Sequence, residues 1–329
     1  MITSEVDFNA DGKQTGYLRL PHSVHRSAHG WIPIPVIVIK NGQGPTVLLT
    51  AGNHGDEYAG QIALSKLGRD LMPGHIRGGI IILTMANHPA ARAGLRTSPN
   101  DQGNLNRSFP GDPVGNPTQV MAHYIEERLL PICDYAVDLH LGGSSLFYPP
   151  TLLRGVGHTA EDEAMLRALQ HAFDLPFARI FTGGGGPNST ARTLMGAANR
   201  KGVLWVMAEL GDGGSVSRDI LGLTERGLRR VLGSLDMLPG FCPDTARGTR
   251  EMNVVGSVYA YDMDPFAPLN DIAEEVEPGE IVGRIHTPDT PWHSATDVTA
   301  PFAGVGLCKR VPGQTDPADA LCHISKDAA

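Results

Sequence analysis

The segment AGNHGDEYAG (residues 51–60) places an imidazole, His54, and a carboxylate, Glu57, three positions apart in a glycine-flanked turn. Directly before it runs TVLLT (46–50), an apolar stretch that reads as a buried strand. Side chains at i and i+3 project to one side of a turn. Two His and one Glu form a common donor set for hydrolytic metal sites that keep one coordination position open. Taken alone, H-x-x-E occurs by chance in many proteins, so the rest of the chain has to supply a third ligand. It does so at the end of DYAVDLH (134–140), where His140 closes a second apolar run and Asp138 falls two residues earlier on the same face of a regular pleat. A third run, VLWVMAEL (203–210), carries Glu209 just before a glycine-rich turn. A carboxylate in that position is desolvated, which raises its pKa toward neutrality and suits it to general-base work.

A polar loop, RTSPNDQGNLNRSFPG (96–111), adds Arg96, Asn106 and Arg107. The planar guanidinium fork matches a carboxylate bidentately. Arg107, flanked by Asn106, suits the free carboxylate of a substrate, and Arg96 suits the scissile carbonyl and its oxyanion. The run TGGGGPN (182–188) is no phosphate-binding loop, because no G-K-[ST] follows at the needed spacing. It reads as a connector or as a loop closing over a ligand. Asp101, Asp212 and Asp219 are unranked candidates for an acidic pocket residue facing a basic substrate side chain.

Elements that bring these residues together can be read from the same sequence. VIVIK (36–40), TVLLTAG (46–52), GIIILTMAN (79–87), DYAVDLH and VLWVMAEL have the length and composition of buried strands. Residues 58–71, 117–130, 161–173 and 217–234 read as helices, with Pro117 suited to a first helical turn. Strands alternating with such helices imply an α/β layer fold with a mixed, largely parallel sheet, and ligands at the carboxyl ends of its strands. After LPGFCPDTARGTR (238–250) the helical periodicity stops and turn residues crowd in. DPFAPL (264–269) resembles APFAGV (300–305), and VEPGEIVGRI (276–285) resembles TDPADALCHI (315–324). Two such halves predict a small all-β module. The expected organisation is a catalytic domain over 1–240, including an N-terminal extension over 1–30, and a β-rich domain over 241–329. The module has a carrier-like outline but no lysine in a carrier signal; Lys309 sits in GLCKRVPG, which does not match. Its expected role is a wall at the site entrance or an oligomer interface.

Of 329 residues, 27 are basic and 35 acidic, a net charge of −8, and no dense basic run occurs. That balance excludes nucleic acid as the expected partner. With 41% hydrophobic residues the chain can fill a sizeable core. Four scattered cysteines without a C-x-x-C pair fit reduced thiols. No apolar run reaches membrane-spanning length, and the first twenty residues do not form a signal peptide. The expectation is a cytoplasmic protein with a small-molecule partner and no membrane partner; a homo-oligomer is compatible with everything above.

The order GNHGDE, NLNRSFPG, DLHLGG, AELG resembles the succinylglutamate desuccinylase/aspartoacylase family over roughly residues 30 to 325. These are zinc-dependent N-acyl amino acid deacylases with a zinc-carboxypeptidase-like fold and a C-terminal β-domain. The resemblance implies one zinc ion per chain, held by His54, Glu57 and His140, with Glu209 as general base and later acid, and Asn106 with Arg107 as the carboxylate clamp. The loop carrying Arg96 is longer than in the aspartoacylase branch, so the oxyanion arginine is not fixed by the resemblance, and Arg96 stands as a catalytic candidate. The opening VDFNADGKQTGYLRLPHS, LTAGNHGDEYAG and the 96–111 loop are most similar to the branch of N-alpha-acetyl-L-2,4-diaminobutyrate deacetylases. That likeness implies an N-acetyl amino acid of ectoine breakdown as substrate. A desuccinylase, an aspartoacylase-type enzyme and a metallo-carboxypeptidase on short peptides are the alternatives. A binding protein that merely kept the fold is disfavoured by the presence of Glu209.

Overall fold

The computed structural model describes residues 2–181, 189–211 and 214–328. The 182–188 run and Asp212 lie outside the described residues. Four parallel strands form the centre, in the order Gly78–Leu83, Thr46–Ala51, Tyr135–His140, Leu204–Glu209. They are buried on both faces because helices cover both sides of the sheet. On one face Val47, Leu49, Ile80, Ile82, Val137, Leu139, Val206 and Ala208 pack with the helices Tyr58–Asp70, Ala160–Phe173 and Arg218–Ser234. On the other, Leu48, Ile81, Ala136 and Trp205 pack against Met121, Ile125, Leu129, Leu194 and Ala198. This period of two puts Asp138, His140, Met207 and Glu209 on the second face, in line with Ala136 and Trp205.

The four central strands begin within a residue of where the sequence places them, VIVIK is the second half of a longer strand, Trp31–Asn41, and the four helices match within a residue at their starts. The run read over 79–87 stops at Leu83, because Ala86 and Asn87 donate their backbone N–H groups to Ala51 and Gly52 in a turn. The helix read over 117–130 is α-helical only to Tyr124. It widens over Ile125–Leu129 and tightens over Leu130–Ile132, where Pro131 has no N–H to continue the α pattern. The strands Gly12–Pro21, Thr151–Arg154 and Phe177–Ile180 and the short helices His88–Ala93 and Leu194–Arg200 are not legible in the sequence. Gly12–Pro21 pairs with Trp31–Asn41 along its whole length and extends one side of the sheet. Its lysine, glutamine, arginine and two glycines mask the alternation.

Beyond Leu204–Glu209 the sheet continues through Thr151–Arg154 and Phe177–Ile180 into Arg250–Tyr259, Ala320–Asp327 and Gly304–Arg310. Four further C-terminal strands, Thr296–Thr299, Ile281–Ile285, Asp264–Pro268 and Gln314–Thr315, form a separate antiparallel sheet. The internal repeat appears in the pairing. Asp264–Pro268 pairs with Ile281–Ile285 of its own half and with Gln314–Thr315 of the other; Gly304–Arg310 pairs with Ala320–Asp327 of its own half and with Glu275–Val276 of the other. Each half therefore lends the other a two-residue strand. Among the described residues no helix is long and apolar enough to cross a membrane.

Candidate active site

The turn after Thr46–Ala51 is shaped by two glycines. Gly52 has φ +69°, a left-handed conformation that costs a residue with a Cβ about 1–2 kcal/mol. Gly55 lies against the helix His88–Ala93 so closely that a Cβ there would come within 2.0 Å of the Ala90 carbonyl oxygen. The Gly55 N–H also donates to Leu95 at 2.8 Å. Glu57 then sits at the N-cap of Tyr58–Asp70, where the positive end of the helix dipole favours a carboxylate. His140 and Glu209 are the last residues of neighbouring parallel strands and are register partners. Three adjacent strand ends thus converge on one point.

At that point His54 Nδ1 lies 2.7 Å from Glu57 Oε1, and His140 Nδ1 lies 2.9 Å from Glu57 Oε2. One donor atom from each of His54, Glu57 and His140 falls within 4.8 Å of the others, and all three residues are buried. Glu57 Oε2 is buried and makes no well-aligned hydrogen bond despite the close His140 nitrogen, so the three donor atoms crowd one point. A divalent cation satisfies such a set, and nitrogen–oxygen donors of this kind suit a tetrahedral transition-metal site. The outer nitrogens are held as well. Asp138 accepts from His140 Nε2 at 2.9 Å, from the Thr50 hydroxyl at 2.6 Å and from Asn53 Nδ2 at 3.0 Å. His54 Nε2 lies 3.3 Å from Asn104 Oδ1. A carboxylate behind a ligating imidazole fixes its tautomer and raises its basicity. Asp138→Asn should accordingly weaken metal affinity by about 10- to 100-fold, read by titration in a chelator-buffered series; unchanged affinity would leave Asp138 a purely structural group.

The electrostatics follow from burial and from the charged groups packed against one another. Burial works against ionised Glu57, yet the two imidazoles hold its pKa below the ordinary carboxylate range. Burial likewise opposes the His140 cation, but Asp138 and Glu57 outweigh it and hold the imidazole well above its ordinary value. His54 is shifted down, with burial outweighing Glu57. Glu209 is pushed up to about 8, mainly by burial, with His140 pulling the other way. Its Oε2 is buried and has no hydrogen-bond partner.

A cavity of about 390 Å³ opens over this centre and brings together the metal-set, clamp and base residues singled out by the sequence motifs: His54, Glu57, Arg96, Asn106, Arg107, His140 and Glu209. Arg96 Nη1 approaches His54 Nδ1 at 3.4 Å and Glu57 Oε1 at 3.8 Å. Asn106 Oδ1 accepts from the Leu194 N–H at 2.9 Å, which leaves its amide N–H₂ for a ligand. Arg107 donates Nη1 to the Asn106 backbone carbonyl at 2.6 Å, and burial together with Arg96 and Arg192 lowers its pKa. Guanidinium groups gathered in this way make an anion receptor.

The cavity also holds residues that no motif marks. Arg179, 8% exposed, has a buried Nε without a partner, and His323 enters the wall from the C-terminal strand Ala320–Asp327. The Tyr148 hydroxyl lies 3.4 Å from His323 Nδ1. The available signal was an arginine inside a four-residue apolar strand, too short to be recognised. The acidic candidates do not gather here. Asp101 is engaged by the Thr118 N–H and hydroxyl and by the Gly103 N–H, and Asp219 is exposed in the first turn of Arg218–Ser234; neither lines the cavity. Among the described residues the only carboxylates lining the cavity are Glu57 and Glu209.

The chain is similar to known proteins over most of its length. The catalytic-domain description of succinylglutamate desuccinylase/aspartoacylase matches residues 43–235. The N-alpha-acetyl-L-2,4-diaminobutyric acid deacetylase of Halomonas elongata is 37% identical over 332 residues, covering 99% of this chain and 95% of that one. The product-bound structure of the ectoine utilization protein EutE (DoeB) from Ruegeria pomeroyi superposes with a TM-score of 0.93 at 34% identity, covering 99% of this chain and 98% of the other. A succinylglutamate desuccinylase/aspartoacylase from Rhodobacter sphaeroides gives 0.92 at 34% identity, covering 99% of both chains.

Proposed function

Because the chain belongs to the succinylglutamate desuccinylase/aspartoacylase family, we propose that it is a zinc-dependent amidohydrolase that removes the acetyl group from N-alpha-acetyl-L-2,4-diaminobutyrate in ectoine degradation. The single observation that carries the hydrolytic reading is the buried His54–Glu57–His140 donor set with Glu209 at the next strand end. The substrate reading is supported by the full-length likeness to the Halomonas deacetylase and to EutE.

His54 Nδ1, Glu57 and His140 Nδ1 would hold the zinc. A bound zinc supplies Lewis acidity to the acyl carbonyl and lowers the pKa of coordinated water to about 7. Glu209, desolvated and free of competing hydrogen bonds at Oε2, takes the proton of the attacking water and returns it to the departing amine. Arg96 donates to the oxygen on which negative charge develops. Arg107, with the Asn106 amide, holds the substrate carboxylate and so aligns the amide with Glu209. The products are acetate and a free amino acid.

Amine release from N-alpha-acetyl-diaminobutyrate, N-acetylaspartate, N-succinylglutamate and short peptides, with and without chelator and with zinc quantified, tests this reading. Chelator-sensitive cleavage of the diaminobutyrate derivative with about one zinc per chain is expected. Preferential cleavage of another substrate moves the branch, and cleavage of peptides longer than dipeptides turns the reading to a carboxypeptidase. Arg107→Ala should raise KM for a carboxylate substrate by about tenfold to a hundredfold, since a charge-assisted pair is worth roughly 1.5–3 kcal/mol. An unchanged KM removes Arg107 from the clamp.

A further inference from the structure

Asp56, between two of the metal-binding residues, has no role in the mechanism above, and its surroundings are unusual for a carboxylate. It is 3% exposed. Oδ2 accepts the Ser144 N–H at 2.7 Å, and the backbone carbonyl accepts the Gly214 N–H at 3.0 Å. Oδ1 is buried with no hydrogen-bond partner, and among the described residues no cation lies within ion-pair distance of it. A buried carboxylate left in that state is costly unless a positive group reaches it.

One positive group is close. A Cβ on Gly143 would sit 3.2 Å from Asp56 Oδ2 and 3.6 Å from Arg96 Nη1. Carboxylate and guanidinium therefore lie less than about 7 Å apart, within Coulomb range. Gly143 has φ +58°, so the backbone there favours glycine, which puts no side chain of its own between the two groups. Arg96 meanwhile rests on His54 Nδ1 and Glu57 Oε1, the donor atoms a divalent cation would claim. Two positive charges do not share those atoms. When the donor set is occupied, the guanidinium is repelled from it, and Asp56 is a nearby buried anion with an oxygen still lacking a partner.

We propose that Asp56 is the positioning residue for Arg96: it draws the guanidinium off the metal-binding atoms and holds it where it meets the developing oxyanion. This rests on the metallohydrolase reading and assigns Asp56 no contact with substrate. Asp56→Asn keeps the shape and an acceptor for the Ser144 N–H while removing the charge. It should lower kcat about tenfold or more, the worth of a charged hydrogen bond, with KM little changed. It should also weaken zinc binding, because Arg96 then stays on the donor atoms. Both effects should vanish in an Arg96→Ala background, where the charge of Asp56 has nothing left to position. Losses that persist undiminished in that background would overturn the proposal and make Asp56 only a brace for the loop after His140. The zinc-affinity half of the cycle needs no substrate, so it decides the matter even if none of the N-acyl amino acids is cleaved. Should Asp56→Asn fail to fold, the zinc-loaded wild-type structure decides: Arg96 within about 4 Å of Asp56 supports the proposal, and a guanidinium still resting on His54 Nδ1 overturns it.

Discussion

Glu209→Gln should lower kcat by roughly 10²- to 10⁴-fold, the range that general acid–base catalysis supplies, while leaving KM and zinc content close to wild type. The amide would occupy the same volume at the end of Leu204–Glu209 but could neither take nor return a proton. A thermodynamic signature should accompany the loss. Burial pushes the Glu209 carboxyl up to about 8, above the ordinary value of 4.5. For a group raised on folding, the favourable protonated form is fully present below the unfolded pKa, and its contribution is lost as pH rises through the folded pKa. In the metal-free protein, Glu209 therefore becomes a growing burden between about pH 4.5 and 8, and the amide variant escapes it. Metal-free Glu209→Gln should melt higher than wild type, with the gap wider at about pH 8 than at about pH 5. A variant that loses activity and also melts lower at every pH would point to a structural role instead.

Removing zinc is the second large effect. Turnover should fall to background with a chelator and return with about one equivalent per chain. Stability should fall as well: a ligand that binds only the folded state adds about 4 kcal/mol at roughly a thousandfold excess over its Kd. Zinc uptake should release protons. Against burial, Asp138 and Glu57 hold the His140 imidazole well above its ordinary value, which favours the proton that Nδ1 must give up before it can ligate. Affinity should thus rise with pH. Calorimetric titration in two buffers of different ionisation enthalpy counts the protons directly; no release near neutral pH would mean that His140 is already neutral. Glu57→Gln, which removes the negative charge at the centre of the set, should lose zinc altogether on dialysis.

The parts of the site readable from sequence sit at the ends of regular strands or in one polar loop. Glycine after Ala51, the histidine closing DYAVDLH and the glutamate near the end of VLWVMAEL announce three strand ends, because each follows a run apolar enough to mark a buried strand. Arg107 and Asn106 come from a loop rich in Asn, Gly and Pro, where chemistry is common. Arg179, Tyr148 and His323 stay hidden for a different reason. The approach of Arg179 and His323 depends on the pairing of Phe177–Ile180 with Arg250–Tyr259 and of that strand with Ala320–Asp327, and Tyr148 meets His323 across the same distant segments. No local pattern records such a register. Asp101 shows the converse: its loop has the composition of a functional one, but its carboxylate is engaged in holding the loop to Thr118.

The seam where Arg250–Met252 lies alongside Phe177–Arg179 carries a consequence for how the protein is made. Synthesis runs from the amino end and domains tend to fold as they emerge. When the strands bearing His140 and Glu209 are complete, Phe177–Ile180 still presents an unpaired edge, the kind of surface that recruits foreign strands. The wall holding His323 has not yet left the ribosome. A nascent chain in that interval holds His54, Glu57 and His140 but an unfinished cavity, and its open edge exposes it to aggregation. Expression conditions that slow the emergence of the chain from Arg250 onward should therefore lower soluble yield.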